Sequence, residues 1–183
     1  MLLLTLGFAV SALGVYAAFY GLGAAVLGSA RSHDAVLLAV AGLLVLLAVV
    51  DTGVIRLRTP MWRRQTPKQL FYLYGPNKAA LLWGLDVGLV FTTFRVTSLS
   101  WAALAVTAAG LVPWWSGLLY AFGYGMPTLV MVLLVPWRHG GEQHTPEPSW
   151  WLDKTASVQQ AIRWMAMSGL VAAAAVCVRM AVR

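Results

Sequence analysis

Residues 35–55 read Ala-Val-Leu-Leu-Ala-Val-Ala-Gly-Leu-Leu-Val-Leu-Leu-Ala-Val-Val-Asp-Thr-Gly-Val-Ile, with Asp34 before them and Arg56 after. Asp51 carries the only charge in the run. A bilayer core about 30 Å thick is crossed by roughly 20 apolar residues in a helix, so this stretch has the length and composition of a membrane span. Reading outward gives further apolar runs at 2–30, 79–95, 99–112, 117–137 and 161–182. The expectation is an all-α integral membrane protein, a single polytopic domain over residues 1–183 with six transmembrane helices in one bundle. Residues 56–78 form a basic cytoplasmic loop in this reading, and 138–155 a polar external loop.

Composition agrees. Of 183 residues, 60% are hydrophobic and 10% are charged, and mean hydropathy is +0.75. Soluble domains carry about 25% charged residues, so a soluble globular domain, a disordered chain and a collagen-like fibre are excluded. In a soluble protein the net charge of +7 would point to nucleic acid. Here the cations lie between and beside apolar runs, which indicates membrane topology and contact with anionic lipid, and no nucleic-acid partner is expected. Residues 1–30 read as a retained helix rather than a signal peptide. Although Gly28-Ser29-Ala30 resembles a cleavage site, no cation precedes the run, and its length exceeds the 7–15 residues usual for a signal core.

Orientation follows from the cations. With both termini cytoplasmic, eight Lys/Arg face inward, namely Arg179, Arg183 and the six of residues 56–78, against five elsewhere. Among the six, Arg63, Arg64 and Lys68, beside Phe71 and Leu73, form the expected contact with anionic lipid at the interface. The bacterial inner membrane is the expected location. Most of the nine tryptophans, including Trp62, Trp114, Trp115 and Trp137, fall near run ends, where indole rings anchor helices.

Two helices carry the features that point to packing and chemistry. In the first, Gly7, Ser11, Gly14, Ala18, Gly21, Ala25 and Gly28 repeat at alternating spacings of four and three. That places a small-residue seam along one face, where a neighbouring helix, in this chain or in a partner, approaches closely. In the third, Gly84 and Gly88 flank Asp86. A carboxylate inside a span costs about 2.5–3.5 kcal/mol even on the lenient insertion scale, so Asp86 is expected to be paired, protonated or functional. Arg95 lies on the opposite helix face and pairs only across helices. Thr92, Thr93, Thr97, Ser98 and Ser100 surround it with hydroxyls. Asp51 reads as an interfacial ion partner of Arg56 and Arg58. The fifth helix is expected to break at Gly125 and Pro127, because proline removes a backbone hydrogen bond and clashes with the preceding turn; transporters place sites at such breaks.

Other chemistry is weakly signalled. His139, Glu142 and His144 lack the spacing of a helical zinc motif, and the apolar runs contain no histidine for haem ligation. Cys177, the single cysteine, reads as a small buried hydrophobe. Neither a metal nor a cofactor is expected. No P-loop, nucleophile elbow or dinucleotide fingerprint is present, so an enzyme is the less favoured class.

Residues 118–129, Leu-Leu-Tyr-Ala-Phe-Gly-Tyr-Gly-Met-Pro-Thr-Leu, resemble the Y-x-L-G-x-G-x-P-x-L helix of the CcdA family, the membrane domain of cytochrome c biogenesis and DsbD-type thiol-disulfide transporters. The run from Gly75-Pro76-Asn77-Lys78 through Gly84, Gly88 and Phe91 is similar to the family's preceding segment. The resemblance covers residues 75–137 and implies a six-helix scaffold, with alternating access. The family moves electrons through one cysteine in each half. Here the first helix has no Pro-Cys pair, Thr92-Thr93 stands where the other pair would be, and Cys177 lies in the last helix, so dithiol exchange is not implied. Two functions are expected to compete: a small-solute or proton-coupled carrier using Asp86 and the break at Pro127, and a non-catalytic accessory or assembly subunit of a larger membrane complex, docked through the seam of helix one.

Overall fold

A computed structural model describes residues 2–54, 70–89, 97–125 and 148–183. Every regular element among them is helical. The α-helices are α1 (Leu2–Leu27), α2 (Asp34–Thr52), α3 (Leu70–Gly88), α4 (Leu99–Ala108), α5 (Ser116–Tyr120) and α6 (Pro148–Ala181). A 3₁₀ turn over Gly28–Ser32 joins α1 to α2, and α5 continues as a π turn over Ala121–Gly125. Among the described residues, three segments are long and apolar enough to cross a membrane: Leu2–Arg31, Asp34–Thr52 and Ser157–Ala181.

The second span shows why these residues fold as they do. Its buried positions are Leu37, Val40, Ala41, Leu44, Leu47, Ala48 and Asp51, the three- and four-residue steps of one helical face. Gly53, at φ 76°, closes it in the left-handed conformation. The buried stripe packs against α6, whose Ala166, Leu170, Ala174 and Cys177 are its own buried positions. Cys177 is a buried free thiol in that contact. Opposite faces expose Leu38, Val45 and Leu46 on α2, and Val171, Val176 and Val178 on α6. An apolar surface of this kind is suited to lipid. At 1.5 Å per residue the 34-residue α6 is about 51 Å long, so its first turns extend beyond a core of about 30 Å.

The other half of the molecule is assembled on α1. Its first half packs against α3 with almost no side chain between them. A Cβ added at Gly84 would collide with the Leu4 carbonyl, one at Gly7 with the Leu81 carbonyl, and one at Gly88 would lie 2.6 Å from the Phe8 oxygen. Small residues let backbones approach this closely where lipid supplies no hydrophobic drive. Gly117 of α5 meets Ala12 and Leu13, and Tyr120 packs between Phe8 and Tyr16, with ring centroids 6.0 and 5.6 Å away.

These contacts also give directions. Gly84 lies by Leu4 and Gly88 by Phe8 and Ser11, and Leu89 packs on the cluster of Val15, Tyr16 and Leu104, so α3 runs parallel to α1. Leu104 packs on the same Val15 and Tyr16, and Gly23 abuts Ala108, so α4 runs parallel to α1 as well. The end of α3 and the body of α4 thus meet at the middle of α1, with α3 along its first half and α4 along its second. Successive full crossings alternate in direction. Helices α3 and α4 are aligned in one direction along α1.

Other boundaries shift for identifiable reasons. Helix α1 stops at Leu27 because Gly28, at φ 49°, leaves helical geometry. Helix α3 begins at Leu70 rather than 79 and is bent at Gly75, whose φ of 74° and ψ of 168° interrupt the helix just before Pro76. The residues expected as a polar loop at 148–155 lie in α6.

The seam of α1 divides. Gly7 and Ser11 are buried, together with Phe8, Ala12, Val15, Tyr16 and Gly23, whereas Gly14, Gly21 and Gly28 face open space. At 3.6 residues per turn a seven-residue repeat drifts by about 20° per heptad, and here it drifts away from the buried side. Gly84→Leu is accordingly expected to destabilise the bundle by about 1–3 kcal/mol, while Gly21→Leu leaves stability unchanged. Thermal unfolding midpoints in detergent compare the two directly.

Candidate functional site

Helix α4 is short, 10 residues or about 15 Å, and its two faces belong to different halves of the molecule. Ala102 and Ala109 join the core of α2 and α6. Leu104 joins Val15 and Tyr16 of α1. Both ends of α4 are held by charged side chains from outside it.

At the amino end, the Ser98 backbone N–H donates to Asp51 Oδ1 and Oδ2, at 2.9 Å each. The Ser98 hydroxyl also donates to Oδ1, at 2.7 Å. Asp51 and Ser98 are both buried, 9% and 1% exposed, so water does not compete for these bonds. The Ser98 carbonyl accepts from the N–H groups of Trp101 and Ala102, at 3.0 Å each, and starts the helix. A carboxylate here is matched to the positive end of the helix dipole. Asp51 was expected to pair with Arg56 and Arg58, which lie outside the described residues; the partner seen is Ser98. The signal available in the sequence was a serine directly before the apolar run from Leu99, the pattern of a helix start.

At the carboxyl end, all four terminal carbonyls have donors. Ala109 N–H donates to the Ala105 oxygen, Gly110 N–H to Thr107 and Leu111 N–H to Val106. Gly110, at φ 76°, supplies the left-handed residue that this closure requires. The remaining oxygen, that of Ala108, accepts from Arg31 Nη2 at 2.8 Å. The same nitrogen donates to the Tyr20 carbonyl, and the guanidinium stands 4.5 Å from the Tyr20 ring centroid, within cation–π range. Arg31 directly follows the first apolar run of the sequence, among the cations outside the inward set. It folds back and joins the ends of α1 and α4.

Hydroxyl groups line the contact between α4 and α5. Ser100 Oγ lies 3.3 Å from Tyr120 Oη, and Thr107 Oγ1 lies 3.4 Å from Ser116 Oγ while donating to the Ala103 carbonyl at 2.8 Å. Tyr120, Thr107 and Ser116 were not anticipated, because their convergence comes from the packing of α5 on α4 and leaves no local pattern.

Asp86 is half-buried near the end of α3. Two residues from either glycine is about half a turn, so it lies on the side of α3 away from α1. Gly125 ends the π turn; such turns recur at functional sites. Arg95, Thr92, Thr93, Pro127, Arg63, Arg64, Lys68 and the loop histidines His139 and His144 lie outside the described residues. Among the described residues, no group of three or more His, Cys, Asp or Glu could hold a metal ion.

The chain matches no protein-family model, no curated protein and no solved structure.

The two ends of the Asp51–Ser98 contact have unequal weight. Asp51→Ala leaves a buried N–H and a buried hydroxyl without their acceptor, at roughly 1–3 kcal/mol for each unsatisfied group. Ser98→Ala keeps the backbone bond to Asp51 and is expected to cost less. Unfolding of the two variants, followed by loss of helical circular dichroism, gives that order.

Proposed function

We propose that this chain is a carrier in the bacterial inner membrane, moving protons or a small proton-coupled solute, on a scaffold like that of the CcdA family but without dithiol chemistry. One observation supports this reading above others: α3 and α4 follow one another in the same direction along α1 and meet at its middle. We read them as one interrupted crossing. Interrupted helices are tolerated in membranes where protein shields them or where they line a cavity, and secondary transporters build their sites at such breaks. Asp86 lies just before the end of α3, and Asp51 lies on the start of α4. Asp86 is the coupling group in this reading. Asp51 holds α4 in place, and Arg95, Thr92 and Thr93 belong to the connection between the two helices.

In this reading the six cations of residues 56–78, the largest basic segment, face the cytoplasm together with the amino terminus. With α3 and α4 counted as one crossing, six alternating spans no longer place the carboxyl terminus there too.

The outer half of the seam favours a second reading, an accessory subunit. Gly14 and Gly21 face open space, where a partner helix could seat.

Reconstitution separates the readings. Vesicles loaded with pyranine, under a potassium diffusion potential set by valinomycin, are expected to show proton flux above protein-free vesicles, and Asp86→Asn to abolish it. Wild-type flux no greater than that of empty vesicles, with a protein partner released by Gly21→Leu, would instead establish the accessory role.

A further inference from the structure

The first turn of α3 is set apart from the rest of that helix. Tyr72, Leu73 and Tyr74 are 91%, 71% and 53% exposed. Three consecutive helical residues sweep about 200° of the helix surface, so among the described residues no element covers this turn on that arc. Gly75, in the left-handed region at φ 74°, breaks the axis immediately afterwards. Pro76, Asn77 and Lys78 are exposed, and packing against the bundle begins at Ala79, which is fully buried. The turn is thus a small foot on a bend, joined to the buried part of α3 through Gly75–Lys78.

Its chemistry is that of a membrane interface. Tyrosine has an apolar ring with a polar tip, which suits the headgroup depth, and Leu73 between the two tyrosines adds an exposed aliphatic side chain. The charge of the flanking sequence has one sign. From Asp51 to Asp86 the chain carries six cations and no intervening anion. Lys78, on the described side of the bend, presents an exposed cation beside the foot.

We propose that the foot Leu70–Tyr74, with Lys78, docks on the surface of an anionic leaflet and binds lipid phosphate headgroups in preference to zwitterionic ones. The aromatic and aliphatic side chains supply insertion, and the cation supplies the headgroup preference. This proposal does not depend on the carrier reading.

Native mass spectrometry of the detergent-solubilised chain, titrated with phosphatidylglycerol or with phosphatidylcholine of the same acyl composition, tests it. The wild type is expected to retain phosphatidylglycerol more tightly. Lys78→Gln is expected to reduce that preference roughly fivefold, the effect of one cation near an anionic surface. Replacing Tyr72, Leu73 and Tyr74 together with serine is expected to weaken both lipids and leave their ratio unchanged. These side chains are exposed, so helical circular dichroism should stay at the wild-type level, and the single Tyr72→Ser variant provides the same readout. Equal retention of the two lipids by the wild type, or a ratio unaffected by Lys78→Gln, overturns the proposal. So does stoichiometric occupation of the foot by another protein.

Discussion

Helix α4 is held at both ends by side chains of opposite charge, and the arrangement of the bundle depends on this. Asp51 meets its amino end through Ser98, and Arg31 meets its carboxyl end through the Ala108 carbonyl. Both placements complement the helix dipole. More important than the dipole is satisfaction of the backbone. In hydrocarbon no water is present to accept from a free N–H or donate to a free carbonyl, so each exposed helix end costs several kcal/mol. A helix of 10 residues is shorter than a bilayer core, and its ends must find partners inside the protein. Asp51, Arg31 and the closure around Gly110 supply them.

The clamp sets the direction of α4. Asp51 is at the far end of α2 from Arg31, so attaching opposite ends of α4 to these two residues makes α4 antiparallel to α2 and parallel to α1. In that orientation α4 presents Ala102 and Ala109 to α2 and α6, and Leu104 to α1. It joins two assemblies that otherwise pack mainly within themselves: α1 with α3 and α5, through glycine-to-backbone contacts, and α2 with α6, through an aliphatic stripe. The direction of α4 also brings it to the middle of α1, where α3 ends, which is the geometry on which the carrier reading rests.

How much of this could be read from the chain differs by element. The span Asp34–Thr52 was legible almost to the residue, because its boundaries are charged or helix-breaking and its interior is uniformly apolar. Close approach was read from the α1 side, at Gly7, while its counterparts Gly84 and Gly88 stood out only as the pair flanking Asp86. The direction of α4 was not, since hydropathy counts apolar runs and carries no sign; alternation was assumed, and the head-to-tail order of α3 and α4 departs from it. Arg31 and Asp51 looked like residues at the water boundary, because a cation in a polar break and a carboxylate near a run end are ordinary there. Their roles appear only once α4 lies between them. The glycine repeat of α1 was regular over its full length in sequence, but a helix of 3.6 residues per turn rotates such a repeat out of a contact, and only its first part remains in one.

The direction of α4 is tested most directly by distances between nitroxide labels at Val54, Leu99 and Leu38, all exposed, in a Cys177→Ser background. Val54 and Leu38 mark opposite ends of α2, about 24 Å apart along its axis at 1.5 Å per residue. If Asp51 holds the start of α4, the Leu99–Val54 distance is the shorter of the two and the Leu99–Leu38 distance the longer. The reverse order would place the start of α4 at the Arg31 end. That result would contradict both the clamp and the interrupted crossing built on it.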